Sequence, residues 1–131
     1  MNRRSWLLAS LALAFHRSPS AGEQVESAVD SSVLTDELQK HPRCVICNMD
    51  RRKFHYARHL LHYADQHVQG TCSVHCAAEC MLRERRRGFL SIYAPDFASP
   101  DDPKPLIEAA SATYLIGSDL RGVMTPVSKV S

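Results

Sequence analysis

The chain carries only five glycines in 131 residues, a formal charge of only +2 at pH 7, and aromatic residues at 7%. Scarce glycine without a repeat excludes collagen-like and low-complexity classes, and the near-balance of charge gives no reason to expect a nucleic-acid partner. No Gly-x-Ser-x-Gly elbow, His-Glu-x-x-His helix or glycine-rich phosphate loop is present, so hydrolytic and nucleotide-driven chemistry lose their usual signatures. No enzyme is expected on that basis. With 44% hydrophobic and 23% charged residues the chain suits one compact domain rather than a disordered segment.

Long apolar runs are also lacking, with one exception at the start. Arg3 and Arg4 precede an apolar stretch from Trp6 to Phe15, broken only by Ser10, and small residues follow at Ala12, Ala14, Ser18, Ser20 and Ala21. This is the pattern of a secretory signal, expected over residues 1–21, and its apolar run is too short to span a bilayer as a helix. Cleavage after Ala14 or after Ala21 fits equally. Removal of residues 1–21 takes away Arg3, Arg4 and Arg17 and leaves thirteen basic against fourteen acidic residues. A periplasmic or secreted location follows as the expectation. No cysteine precedes Cys44, so lipid attachment at an N-terminal cysteine is not available and membrane association stays open.

Residues 22–42 read as a partly flexible linker with one helical turn near Thr35 to Gln39, capped by Thr35. The remainder, 43–131, reads as the folded domain. A strand is predicted over about Arg58 to Tyr63, a second over His67 to Cys72, and a helix from a Ser73 cap to Gly88. Phe89 to Ala94, a short element at Leu106 to Ala110, and a final strand at Ala112 to Ile116 complete the order. The fold class expected is α+β, a small antiparallel sheet with one covering helix. The basic runs Arg51-Arg52-Lys53 and Arg83 to Arg87 read most simply as solvated surface.

What the sequence has in quantity is sulfur. Cys44, Cys47 and Met49 form one cluster, and Cys72, His75, Cys76 and Cys80 form a second where the hairpin feeds the helix. Steps of four advance by about 400° along a helix, so Cys72, Cys76 and Cys80 are expected along one face, with His75 beside them. The first-turn amides favour thiolates there. Two cysteine pairs, C-x-x-C and C-x-x-x-C, fit a tetrahedral zinc site by spacing. Met49 adds a thioether, and thiolate plus thioether is the donor set of Cu(I). Two disulfides with Cys80 free remain an alternative in an oxidising compartment, and a thioredoxin-like use of the first pair is a weaker one, because Pro42 precedes it in place of a strand-to-helix turn. His59 and His62 lie an odd number of residues apart on one strand and point to opposite faces.

Cys44 to Phe54 (CVICNMDRRKF), Gly70 to Ala78 (GTCSVHCAA) and Gly122 to Thr125 (GVMT) resemble NosL-type proteins, copper-binding accessory proteins of nitrous-oxide reductase maturation. The resemblance covers most of the chain after His41. It implies a small α+β fold that carries Cu(I) in the periplasm toward the copper centres of nitrous-oxide reductase or its maturation complex. It further implies Cys44, Cys47, Met49 and Met124 as copper ligands, and places Cys72, His75 and Cys76 in a motif of the cysteine-rich relatives. Asn48 stands where the family usually has glycine, and asparagine tolerates the same left-handed backbone.

Overall fold

A computed structural model describes residues 30–119, 122–124 and 129–130. The signal segment expected at 1–21 lies outside them. A single 3-10 turn at Ser31–Val33 and a short helix α1 at Glu37–Lys40 lead into strand β1 (His59–Tyr63) and strand β2 (Val68–Thr71). Helix α2 (Val74–Arg83), strand β3 (Phe89–Pro95) and strand β4 (Leu106–Glu108) follow. Two short pieces, β5 (Leu115–Ile116) and β6 (Lys129–Val130), pair with each other.

The main sheet is four-stranded and antiparallel, ordered β2-β1-β3-β4. This is the α+β architecture read from the sequence, with α2 as its one long helix. Central β1 is buried along its whole length, and neighbouring Leu60 and Leu61, which face opposite sides, both have 0% exposure. Both faces of β1 are therefore covered, which is why its own residues do not alternate between apolar and polar. One face holds a core of Leu61, Tyr63, Ala77 and Cys80, joined by Ile46, Phe89 and Ile92.

Three local readings change. The final strand expected over Ala112 to Ile116 shrinks to Leu115–Ile116 and leaves the main sheet to pair with β6. The helical turn near Thr35 to Gln39 exists, but its N-cap is Asp36 at φ 53 with no side-chain cap, and Thr35 donates instead to the Ser31 carbonyl at 3.2 Å. Part of the stretch read as a linker is built into the fold, since Glu37 and Leu38 are buried there.

The fourth change is larger. Arg51, expected on the solvated surface, is fully buried. Its counter-charge, Glu37, stands fourteen residues upstream, and a run of like charges does not reveal which member the fold will enclose. Arg58 is buried against the same carboxylate, Nε to Oε1 at 2.7 Å.

Candidate metal centre

The first sulfur segment is a tight loop. Arg43 and Asp50 bridge across its base, the Cys44 N–H donates to the Met49 carbonyl at 2.9 Å, and the Asn48 N–H donates to the Cys44 carbonyl at 2.9 Å. Such a reversal needs one left-handed residue, and Asn48 supplies it at φ 60. Asparagine in place of glycine therefore costs the loop little, as the sequence suggested. The loop turns Cys44 and Cys47 to one side, and the Val45 N–H donates to the Gly70 carbonyl at 3.0 Å, fastening the loop to β2.

The second segment begins where β2 ends. Cys72 and Ser73 join strand to helix, the Ser73 hydroxyl caps α2 by accepting from the Cys76 N–H at 3.3 Å, and Cys76 falls in the first turn. Cys72 thus precedes the helix instead of belonging to its face, which corrects the expected row of Cys72, Cys76 and Cys80. A row four residues apart exists only between Cys76 and Cys80, and the next turn carries Cys80 away into the Leu61, Tyr63 and Ala77 core.

The two segments meet. The Sγ atoms of Cys44, Cys47, Cys72 and Cys76 all lie within 4.8 Å of one another. Cys47 to Cys72 is 3.3 Å, Cys72 to Cys76 is 3.8 Å and Cys76 to Cys47 is 3.9 Å. Met49 Sδ stands 3.9 Å from Cys72 Sγ, so the thioether lies on the edge of the thiol group. Cys44, Cys72 and Cys76 are buried, whereas Cys47 and Met49 are half-buried and form the outer rim. Ile46, Phe54 and Val123 pack around the sulfur atoms and keep the surroundings apolar. All five cysteines stand as free thiols in this structure.

The thiols are not equivalent. The Cys72 S–H donates to Cys44, and the backbone N–H groups of Cys47, Ile46 and Cys72 add to it, holding the Cys44 thiol well below its ordinary range. The same contact, with burial, pushes Cys72 up. Burial pushes Cys76 up to about 12 and Cys80 up to about 11. The directions favour Cys44 as the thiolate of the group and favour protons on Cys72 and Cys76. That arrangement limits the charge buried without a metal.

Of the remaining residues singled out by sequence, His75 is exposed on α2 and is not among the four converging side chains. Met124 is 46% exposed at φ 60, although its neighbour Val123 packs against the sulfur group and so brings this segment beside the site. His59 and His62 find partners elsewhere: His59 Nε2 lies 2.8 Å from the Tyr114 hydroxyl and His62 Nε2 lies 3.2 Å from Gln66 Oε1. Sequence reasoning missed the buried Glu37, Arg51 and Arg58 triad beneath the site, for which no local pattern gives a signal.

A small α+β domain whose strand-to-helix corner and preceding loop present four thiols and a thioether has the donor set that could hold a soft metal ion. Comparison with protein families agrees, for the NosL family model matches residues 35–131. The chain belongs to the NosL family, which carries with it a copper-related accessory role. Neither the curated proteins nor the solved structures contain a match to it. Among the described residues no helix is long and apolar enough to cross a membrane.

Proposed function

We propose that this protein is an exported, non-enzymatic Cu(I) carrier that holds the ion between thiolates and the Met49 thioether and gives it up by ligand exchange. The observation that carries the reading is the Met49 sulfur 3.9 Å from Cys72 at the outer edge of the group. A thioether has no proton to lose and binds monovalent soft ions well, while adding nothing useful for Zn(II), Mg(II) or Ca(II). Four thiolates around one monovalent ion would leave three negative charges in an apolar setting. The high proton affinities of Cys72 and Cys76 favour a smaller set, with two or three sulfur atoms bound and the rest protonated. Low coordination leaves room for an incoming ligand, and the half-buried rim of Cys47 and Met49 is where it would enter. The expected recipient is a copper enzyme such as nitrous-oxide reductase or its maturation complex, in the periplasm, an expectation supported by family membership.

A second reading has its own observation. A tetrahedral Zn(II) site with bonds of about 2.3 Å has sulfur-to-sulfur edges of about 3.8 Å, and the contacts of 3.3, 3.8 and 3.9 Å lie close to that. Zinc held by all four thiolates would be a structural staple.

One experiment separates the two. The mature chain is prepared without oxygen and titrated with Cu(I) and with Zn(II) against competing chelators, then again as Met49→Leu. The carrier reading expects a wide margin for Cu(I) and a loss on the order of tenfold in Cu(I) affinity on removal of the thioether, about 1.4 kcal/mol, with Zn(II) unmoved. Equal Cu(I) affinity in both proteins would overturn it and leave the zinc reading.

A further inference from the structure

We infer that Arg51 is a positioning residue of the sulfur site, a side chain that locks the two cysteine segments into register with each other. The inference rests on the metal-binding reading above, though on the convergence of the thiols and not on which ion they take.

Arg51 belongs to the first segment: it follows Met49 by two residues, and its N–H donates to the Pro42 carbonyl at 2.9 Å. Its guanidinium reaches across to the second. Nε donates to the Thr71 carbonyl at 3.0 Å, and Thr71 directly precedes Cys72. Nη1 donates to the His41 carbonyl at 2.6 Å, three residues before Cys44. Nη2 donates to the His59 carbonyl at 3.0 Å, and His59 is the register partner of Thr71 across β1 and β2. Glu37 Oε2, 2.9 Å from Nη2, balances the charge as an ion pair without the alignment of a hydrogen bond. One rigid planar fork thus fixes the approach to Cys44, the launch of Cys72 and the strand between them.

Gly70 completes the device. A Cβ built there would stand 2.5 Å from Nη1 and 2.6 Å from Cζ of Arg51, so the guanidinium lies directly on the Gly70 backbone. Gly70 is buried in β2 one residue before Thr71, and its carbonyl receives the Val45 N–H. A side chain there would push the fork away from both sulfur segments without touching a ligand. Lysine at position 51 keeps the charge but offers one ammonium where three separated carbonyls need donors, so it cannot replace the fork.

The test uses Arg51→Lys, Gly70→Ala and the double variant, with two readouts. The first is Cd(II) binding, followed by thiolate-to-metal absorption under chelator competition. The second needs no ion: the rate at which diamide, as oxidant, closes the Cys47 to Cys72 disulfide, mapped by mass spectrometry. Each single variant is expected to lose roughly 10- to 100-fold in Cd(II) affinity, the usual effect of losing a group that orients ligands, and to form the disulfide more slowly. The Gly70→Ala loss should nearly vanish in the Arg51→Lys background, because lysine can move aside. Ile92→Val, which trims the Leu61 and Tyr63 core and lies outside the apolar shell of the thiols, should leave both readouts unchanged and so excludes general loosening as the cause. Single variants within twofold of the parent in both readouts would overturn the inference, as would an equal loss in Ile92→Val. If Arg51→Lys does not fold, Gly70→Ala decides by the same two measurements. A parent that binds Cd(II) but not Cu(I) would sink the copper reading and leave Arg51 in its role.

Discussion

Replacing Glu37 by glutamine should remove a large share of the domain's stability, and bound metal should restore most of it. Glu37 is 5% exposed and faces two buried cations, Arg51 and Arg58, through contacts of 2.9 and 2.7 Å. Among the described residues it is the only carboxylate in an ion pair with either. Glutamine keeps the shape and the acceptor oxygen but leaves two guanidinium charges without their counter-ion in a region that excludes water. Removing one partner of a buried pair costs about 3–5 kcal/mol, a large share of the roughly 5–15 kcal/mol that holds a domain folded. For a domain of this size that loss lowers the melting temperature on the order of 20 °C. An ion that binds only the folded state restores about 3 to 4 kcal/mol at 100 to 1,000 times its dissociation constant. Urea denaturation followed by circular dichroism, with and without Cd(II), measures both effects. The expected result is a metal-free variant whose unfolding free energy is about 3–5 kcal/mol below that of the parent, with substantial recovery on adding the ion. A loss below about 1 kcal/mol with an unchanged slope would refute the reasoning, since it would mean that water already reaches the two guanidinium groups.

Other outcomes follow from the same geometry. Because an ion held by all four thiols must displace the protons of Cys72 and Cys76, Cd(II) affinity should rise with pH, and calorimetry in buffers of different ionisation enthalpy should count at least about two protons released per Cd(II) and fewer per Cu(I); a Cd(II) release near zero would contradict the assignment. Burial lowers the His59 pKa from 6.5 to about 4, so the folded state resists a proton that the unfolded chain accepts. Its contribution, about 3 kcal/mol, should be complete above pH 6.5 and lost as pH falls toward 4, and the stability difference between the parent and His59→Gln should follow that course in urea melts. Cys80→Ala should cost on the order of 1 kcal/mol by vacating core volume while leaving metal affinity intact, and Cys80 should be slow to react with iodoacetamide, its thiol being buried and pushed up to about 11. His75→Ala, at an exposed position of α2, should leave Cu(I) affinity within about twofold in chelator competition; a larger loss would restore it as a ligand.

The legible parts of the fold are those with a local cause. The Ser73 cap, the β1 and β2 hairpin, the left-handed Asn48 and the strand after Gly88 each depend on a few adjacent residues, and each stands where the spacing put it. The sulfur site was legible for a related reason, because cysteine and methionine at close spacing point to one kind of chemistry wherever the chain carries them. Illegible parts involve distant partners. Whether Cys72 and Cys80 share the helix face depends on where α2 begins, and the start at Val74 puts Cys72 on the corner and Cys80 in the core. Met124 shows the same dependence, its motif being plain but its distance from the thiols set by how the last segment packs through Val123.

The amino-acid order alone determined the donor chemistry, the α+β class and the two segments that supply the sulfur, since these rest on side-chain type and short-range periodicity. Tertiary structure alone decided which thiols meet, which of them keep their protons, and that Arg51 leaves its basic run to be buried against Glu37. The physical reason is that each of those outcomes is set by burial and by charges many residues away in the chain, and neither is encoded in any window of neighbouring residues.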